Sequence, residues 1–468
     1  MALTKAVRLI PFVYNDDQTY ILEFGESYIR VYNAGAPLTY TPKAIATASK
    51  ASTCQLGVTT HGYSTGDNVL VAGCIGMPEL NNREFSVASA GTSLLNLTGV
   101  NSTTYGTYSA SSGTVAKIYE VATTYTSAEL AALKYTQSAD VMTLTHPSHP
   151  TMELSRTAHT SWTLAAAVFA PGIAKPTVAL LPTAGAVSYR YRATQVAAGT
   201  LEESLPSYDH IGASVASGGA TNPIQIRTST PHGYSSGDEV YFLSVVGMTQ
   251  LNGNSYAITV TGADTFVLTG VSGLAYSPAT SGFVSRTYIR VDSATFPITV
   301  RCNGTISAAS FNVYREQYGV YGYVGSVDAT FVDPLNRTGD FVDTGYTPDL
   351  TDNPPIDRKV FLSATNYPSC VTYHQQRLIL ANTTSSVEGV WGSMTGLYRN
   401  FDYHSPLRDD DSFMFRLAGL RVNAVQNVLG MKNLILFTDG GVWVAQGSGS
   451  GIITPTEINA VQHSYHGA

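Results

Sequence analysis

Apolar and polar residues alternate with period two through most of the chain, the spacing expected when each strand buries one face. Tyr20, Leu22 and Phe24 fall on one side of a strand, Gly25 permits a turn, and Tyr28 to Tyr32 (YIRVY) reads as the return strand, which predicts a β-hairpin. One short helix is predicted at Thr126, where Thr126-Ser-Ala-Glu129 has the form of a capping box followed by Leu130 and Leu133. It gives way within a few residues to a strand around Val141 to Thr145. No other stretch sustains helical spacing, so the expected fold class is all-β.

An internal repeat organises the pattern further. His61-Gly62-Tyr63-Ser64-Thr65-Gly66-Asp67 returns as His232-Gly233-Tyr234-Ser235-Ser236-Gly237-Asp238. The same register aligns Gly76-Met77 with Gly247-Met248, Leu80-Asn81 with Leu251-Asn252, Leu97 to Val100 with Leu268 to Val271, and Tyr105 with Tyr276. Gly-Asp and Leu-Asn mark turns, and pairs such as Val69/Val240 and Val87/Ile258 lie on the strands between them. The expectation is one small β-barrel module used twice, at 50–118 and at 217–290.

Each copy interrupts something else. The first separates the YIRVY hairpin from the Thr126 segment, so 1–49 and 119–170 read as one N-terminal platform. The second divides Val187 to Val196 from Ser310 to Val327, and 171–216 with 291–355 reads as one sandwich. Insertions succeed at exposed loop tips, so both modules are expected to project from their hosts. From 356 onward the strands become evenly spaced hairpins: Gln376 to Ala381, Gly389 to Ser393, Phe413 to Leu417, and Leu434 to Phe437 turning through Asp439-Gly440-Gly441 into Val442-Trp443-Val444. Such spacing suggests propeller blades or a barrel. A propeller would draw further blades from the N-terminal region, from a continuation of the chain or from another chain.

Composition narrows the classes of function. The length of 468 residues implies two to four domains at roughly 100–200 residues each. Charged residues make up 13%, against about 25% in an ordinary soluble protein, so the surface is covered mainly by Ser, Thr, Asn, Gly and the 29 Tyr. With 44% hydrophobic residues the chain is not of the disordered class. A net charge of −7 without any basic block disfavours a sequence-independent grip on nucleic acid phosphates. Cys54, Cys74, Cys302 and Cys370 are far apart and form no CxxC pair, which fits neither a disulfide scaffold nor a zinc site. The N-terminus has no signal-peptide pattern and no stretch approaches the ~18–20 apolar residues of a membrane span, so a soluble protein made in the cytoplasm is expected.

Few residue clusters suggest chemistry. His146, His149 and His159 (HPSHP…H) lie close enough to bind zinc or nickel, or else form a solvent-facing turn fixed by Pro147 and Pro150. Asp409, Asp410 and Asp411 offer carboxylates for calcium or magnesium but lack the alternating spacing of a calcium loop, and a solvated turn before the Phe413 strand is the expectation. His61 with Asp67 and His232 with Asp238 resemble acid–base pairs, but a repeated His-Gly-Tyr turn is better explained by folding. Gly447-Ser-Gly-Ser-Gly451 matches neither a nucleophile elbow nor a dinucleotide fingerprint and reads as a loop, with a gate near a channel axis as the other reading. Trp162, Trp391 and Trp443 sit on alternating strands and are expected in the core. No catalytic, cofactor-binding or metal residue is assigned.

Taken in order, YIRVYNAG, Tyr135 to Met142 with His146-Pro147, Arg377-Leu378, Trp391, Asn400-Phe401, Asp409 to Asp411, Asn423-Ala424 and the Thr438-to-Trp443 hairpin resemble the tail nozzle proteins of short-tailed bacteriophages, the tail tubular protein B family. The resemblance covers 1–45, 119–165 and 356–468. The repeated module resembles the first catalytic cysteine half-domain of ubiquitin-activating enzymes, and the segments flanking its second copy are similar to a fibronectin type III domain. The resemblance implies a non-enzymatic virion tail protein, assembled in the host cytoplasm as a hexameric ring below the portal and adaptor (the head-tail connector). Its propeller-like platform surrounds a channel for double-stranded DNA during ejection, and its outer faces hold tail fibres. Members of that family usually continue for several hundred residues more. A receptor-binding tail fibre or adhesin that recognises cell-surface glycans is the alternative. A depolymerase is third and needs a convergent set of carboxylates.

Overall fold

The computed structural model describes residues 5–15, 18–180, 187–209, 212–293, 295–419, 422–449 and 451–467. It is all-β: among the described residues the helical elements are two one-turn 3-10 helices, Pro78–Leu80 and Thr249–Leu251. No helix among them is long and apolar enough to cross a membrane. The chain forms two compact units, Met1–Ala167 with Leu362–Thr372 and Ala381–Val387, and Val168–Phe361 with Tyr373–Leu380 and Glu388–Ala468.

In the first unit, Arg8–Val13, Thr19–Gly25, Tyr28–Asn33 and Glu120–Ala122 pair in that order, with Ala36–Pro37 added to Tyr28–Asn33. The YIRVY hairpin forms as its alternation predicts, closing at the Gly25–Tyr28 pair. A second sheet runs Lys134–Ser138, Val141–His146, His149–Ala158 and Ser161–Ala166, each strand antiparallel to the next. Tyr20, Leu22 and Phe24 point into one core with Ile10, Phe12, Met142, Leu144, Leu154 and Trp162, so the apolar faces of the two sheets close on each other. The expected helix at Thr126 does not form. Residues 127–132 make consecutive turns, with the Glu129 N–H donating to the Thr126 carbonyl and the Ala132 N–H to that of Glu129. The capping contact survives without its helix: the Thr126 N–H and hydroxyl each donate to Glu129 Oε2 at 2.8 Å. Leu130 and Leu133 are buried in the sheet core, and the strand at Lys134 begins before a helix has room to propagate.

Inserted in the chain between Ala36–Pro37 and Glu120–Ala122 of the first sheet, the first module folds as a seven-stranded sheet. It takes in Lys43–Ile45 and Thr47–Ala48, upstream of the repeated residues. The second module is a closed six-stranded barrel of Ala213–Gly219, Gln225–Thr228, Thr265–Leu268, Ser255–Val260, Glu239–Val246 and Ser281–Arg286. Each has its own core, around Val69, Met77 and Leu97 in one and Val240, Met248 and Leu268 in the other.

In the second unit, Val187–Ala197, Ala308–Gln317 and Val320–Asp328 lie side by side, with Ile289–Ser293 on the outer edge of Val187–Ala197. The opposing sheet runs Tyr208–Asp209, Thr177–Leu180, Ile298–Thr305, Asn336–Asp343 and Thr330–Phe331. Tyr191, Val291, Val300, Phe311 and Phe341 share the core between them, so the segments on either side of the second module build one sandwich. The chain leaves it after Asp209 and returns at Arg286. There the barrel strands pair Ala213 with Val284, and the Ser285 hydroxyl donates to the Asp209 carbonyl. Beyond the sandwich, Cys370–His374, Arg377–Thr383, Ser386–Gly392 and Phe413–Arg416 form one four-stranded sheet. Val425–Gly430, Leu434–Thr438, Gly441–Gln446 and Asn459–Ser464 form another, antiparallel throughout.

Candidate functional site

The repeated motif builds the same polar turn in both modules. Nδ1 of His61 accepts the Tyr63 N–H and Nδ1 of His232 accepts that of Tyr234, both at 2.9 Å. Asp67 and Asp238 each accept the N–H of the Ser three residues earlier, again at 2.9 Å. The aspartates otherwise turn away from the imidazoles, Asp67 to Lys117 at 2.8 Å and Asp238 to the Tyr288 hydroxyl at 2.5 Å. Asn81 accepts the Cys74 N–H at 2.6 Å and donates to the Cys74 carbonyl at 2.9 Å, and Asn252 repeats both bonds to Val245. The Tyr63 hydroxyl donates to the Val115 carbonyl and that of Tyr234 to Val284. The histidine Nδ1 atoms and the aspartates thus hold the turn, and the aspartates and tyrosine hydroxyls also tie it to distant strands.

The three histidines near 150 separate. His159 accepts or donates at Tyr20 Oη, 3.1 Å away, on the far end of its hairpin. His146 and His149 are a directly opposed pair across the hairpin turn, which places both rings on one face of the sheet with centroids 5.0 Å apart. His146 is buried, which corrects the expected solvent-facing turn. Its Nδ1 accepts the Ser148 N–H at 3.1 Å. Burial and the neighbouring His149 push its pKa down. His149 Nε2 lies 3.1 Å from Glu129 Oε1, and its Nδ1 lies 3.2 Å from the Thr124 hydroxyl. The Thr126 backbone and hydroxyl, with His149, hold the pKa of Glu129 at about 2. A carboxylate that the sequence assigned only to a helix cap thus joins the histidine pair, and the three donor atoms fall within 4.8 Å of one another.

The aspartate run also divides. Asp409 and Asp410 are exposed, but Asp411 is fully buried, correcting the expected solvated turn. Asp411 accepts from His404 Nδ1 at 2.6 Å and from the backbone N–H groups of His404 and Arg408 at 2.8 Å each. On the other side of the imidazole, His404 Nε2 lies 3.9 Å from Glu203 Oε2, within ion-pair reach but too far for a hydrogen bond. Glu203 accepts from the Thr194 hydroxyl at 2.5 Å, the Tyr314 hydroxyl at 2.6 Å and Asn312 Nδ2 at 3.1 Å. Burial alone depresses the imidazolium, yet Asp411 and Glu203 outweigh it and raise the His404 pKa to about 9. Burial likewise pushes Glu203 and Asp411 up, while their hydrogen-bond donors hold both below the ordinary carboxylate range. Arg377 is caged by carbonyls: it donates to Ser393 at 2.6 Å, Asp411 at 2.5 Å and Asp409 at 2.7 Å. Asn400 donates to Glu202 Oε1 at 2.8 Å.

Three clefts adjoin this network. One of about 410 Å³ is lined by Val168, Gly172, Glu202, Leu397, Tyr398 and Asn400. A second of about 360 Å³ includes Glu203, His404, Arg408 and Asp410, and a third of about 450 Å³ includes Gln375, Arg377, Asp409 and Glu457. The facing charges favour the carboxylate of Glu203 and the imidazolium of His404, each stabilising the other. The chemistry of this cluster is that of a clamp joining the sandwich to the hairpin sheets. Sequence reasoning missed Glu203 and His404, because nothing local relates two residues that meet only through the tertiary fold. Trp162, Trp391 and Trp443 are all buried, as expected. At Gly447 a Cβ would fall 1.7 Å from the Ile452 carbonyl oxygen, so the glycine-rich run folds back tightly on itself; Ser450 lies outside the described residues.

The family model of the ubiquitin-activating enzyme E1 FCCH domain matches residues 219–285, the second barrel module. No curated protein matches the chain. Among solved structures, the phage phi92 endosialidase is similar at 11% identity and a TM-score of 0.14, over 92% of this chain. The chain spans 59% of the length of that protein.

Proposed function

We propose that this chain is a structural subunit of a bacteriophage tail, of the nozzle type, whose four-stranded sheets form part of a ring platform carrying the two inserted modules outward. The observation that carries the reading is the fate of the residues in the nozzle-like C-terminal motifs. Arg377, Asn400 and Asp411 are buried and spent on carbonyls, a carboxylate and backbone N–H groups, so these motifs encode architecture rather than turnover. In this reading six copies assemble beneath the head-tail connector, hold tail fibres and pass double-stranded DNA. A surface poor in charge suits broad contacts between subunits without desolvating ions, and a net charge of −7 lets DNA slide rather than adhere. The test is electron microscopy of the purified assembly, with its native mass. Six-fold rings support the nozzle, and a trimeric spike sinks it.

A second reading, a glycan-recognising tail fibre or spike, is favoured by one feature of the modules. Ile75 and Val246 occupy equivalent positions in the two copies and both are well exposed, at 66% and 56%. Glycan-array binding by the full chain, lost on Ile75→Asp with Val246→Asp, would move the assignment to an adhesin.

A further inference from the structure

We propose that Glu129, His146 and His149 form a binding site for a first-row divalent metal ion of the zinc class, which pins the Thr126 turn to the second sheet of the N-terminal unit. The site is assembled from two directions. Direct opposition of His146 and His149 across their hairpin puts two imidazoles on one face, and the turns at 127–132 bring in a carboxylate from outside that hairpin. Two imidazoles and one carboxylate are the donor set that intermediate metal ions such as Zn²⁺ and Ni²⁺ prefer. His149 Nε2 and Glu129 Oε1, 3.1 Å apart, already stand close to the ~3.3 Å edge of a tetrahedron with metal–ligand bonds of about 2.0–2.1 Å. The third donor lies within 4.8 Å of both, a gap that ring rotation can close.

The surroundings match what metal-binding histidines require. The Thr124 hydroxyl at Nδ1 of His149 fixes that ring and leaves Nε2 facing the carboxylate. Thr126 anchors Glu129 through its other oxygen, Oε2, so Oε1 remains directed at the histidine. Tyr125 packs edge-on against His149 at 5.0 Å and keeps a buried hydroxyl with no hydrogen-bond partner among the described residues, a polar group available to a water on the ion. His146 is already engaged by the Ser148 N–H and by the Glu129 backbone and must release one of the two to serve as third ligand, so His149 and the Glu129 carboxylate are the anchors.

The test uses the full chain, purified without a polyhistidine tag, stripped with chelator and titrated with zinc sulfate by calorimetry, with metal content measured after desalting. One zinc per chain is expected, together with a higher melting temperature. His149→Ala and Glu129→Gln should each weaken binding at least ~10-fold, while His159→Ala, outside the cluster, leaves it unchanged. Circular dichroism establishes that each variant is folded; Glu129 is partly exposed, so its Gln variant serves if His149→Ala fails to fold. X-ray absorption of the loaded wild type should show two imidazole ligands. The proposal is overturned if the wild type retains no stoichiometric zinc, if folded variants at 129 or 149 keep wild-type affinity, or if the absorption spectrum lacks imidazole scattering.

Discussion

His404 takes its charge from its neighbours, and that makes stability pH-dependent in a definite direction. Its folded pKa of about 9 lies above the ordinary value of about 6.5. Its contribution is complete below about pH 6.5 and is lost as pH rises through about 9. Glu203 and Asp411, held below the ordinary carboxylate range, contribute above about pH 4 and lose that contribution on acidification. Asp402 acts in the opposite sense: burial, then the nearby Asp357, raises its pKa to about 7, so stability declines as pH rises from about 4 to 7. Calorimetric melting of the second unit should therefore peak at about pH 4–5, decline gradually from there and fall further between about pH 6.5 and 9.5, with His404→Gln flattening the alkaline limb; a flat profile in the wild type would refute the clamp. Among the described residues Asp402 Oδ2 is buried with no hydrogen-bond partner, so Asp402→Asn should add up to about 2 kcal/mol at pH 8 and little at pH 5. Neither effect is legible in the sequence, where His404 and Asp402 are unremarkable loop residues far from Glu203.

At the scale of elements, the repeat is where sequence and structure agree most closely. Gly76 and Gly247 show why: both have positive φ, +78° and +90°, and a Cβ on either would fall 2.0 Å from a backbone carbonyl oxygen, of Thr107 or Pro278. The turn geometry leaves no other residue type, so the letters of the motif are fixed by backbone sterics. Asn81→Ala and Asn252→Ala each remove two bonds to buried backbone and should cost about 2–3 kcal/mol in urea unfolding, to similar extent in the two modules. A loss in only one module would show that the repeat is not energetically equivalent. The Thr126 segment is the contrary case. Its capping residues are present and bonded, but a cap does not propagate a helix when Leu130 and Leu133 are drawn into a sheet core and the next strand follows at once.

At the scale of the whole molecule, the second module hangs from the sandwich by neighbouring strand ends, with Arg286 3.6 Å from Asp209 and Arg192 3.2 Å from Glu239 across the junction. Replacing 213–285 by a short Gly-Ser linker should leave the sandwich folded, because Val187–Ala197, Ala308–Gln317 and Val320–Asp328 pair without the module. A retained β-sheet circular dichroism spectrum and a cooperative melt would establish this; aggregation of the excised chain would show that module and host fold as one body.

The sequence by itself determined the all-β class, the hairpin at YIRVY, the repeated module and the interruption of each host, because period-two burial, turn glycines and a fixed register are local properties of the chain. Only the tertiary structure decided which polar residues meet. Glu129 reached the histidine pair through turns rather than a helix, and Asp411 left its acidic run to become a buried acceptor for His404. Such pairings depend on how strands distant in sequence stack and on which charges lose their water when they do, and no local pattern encodes either.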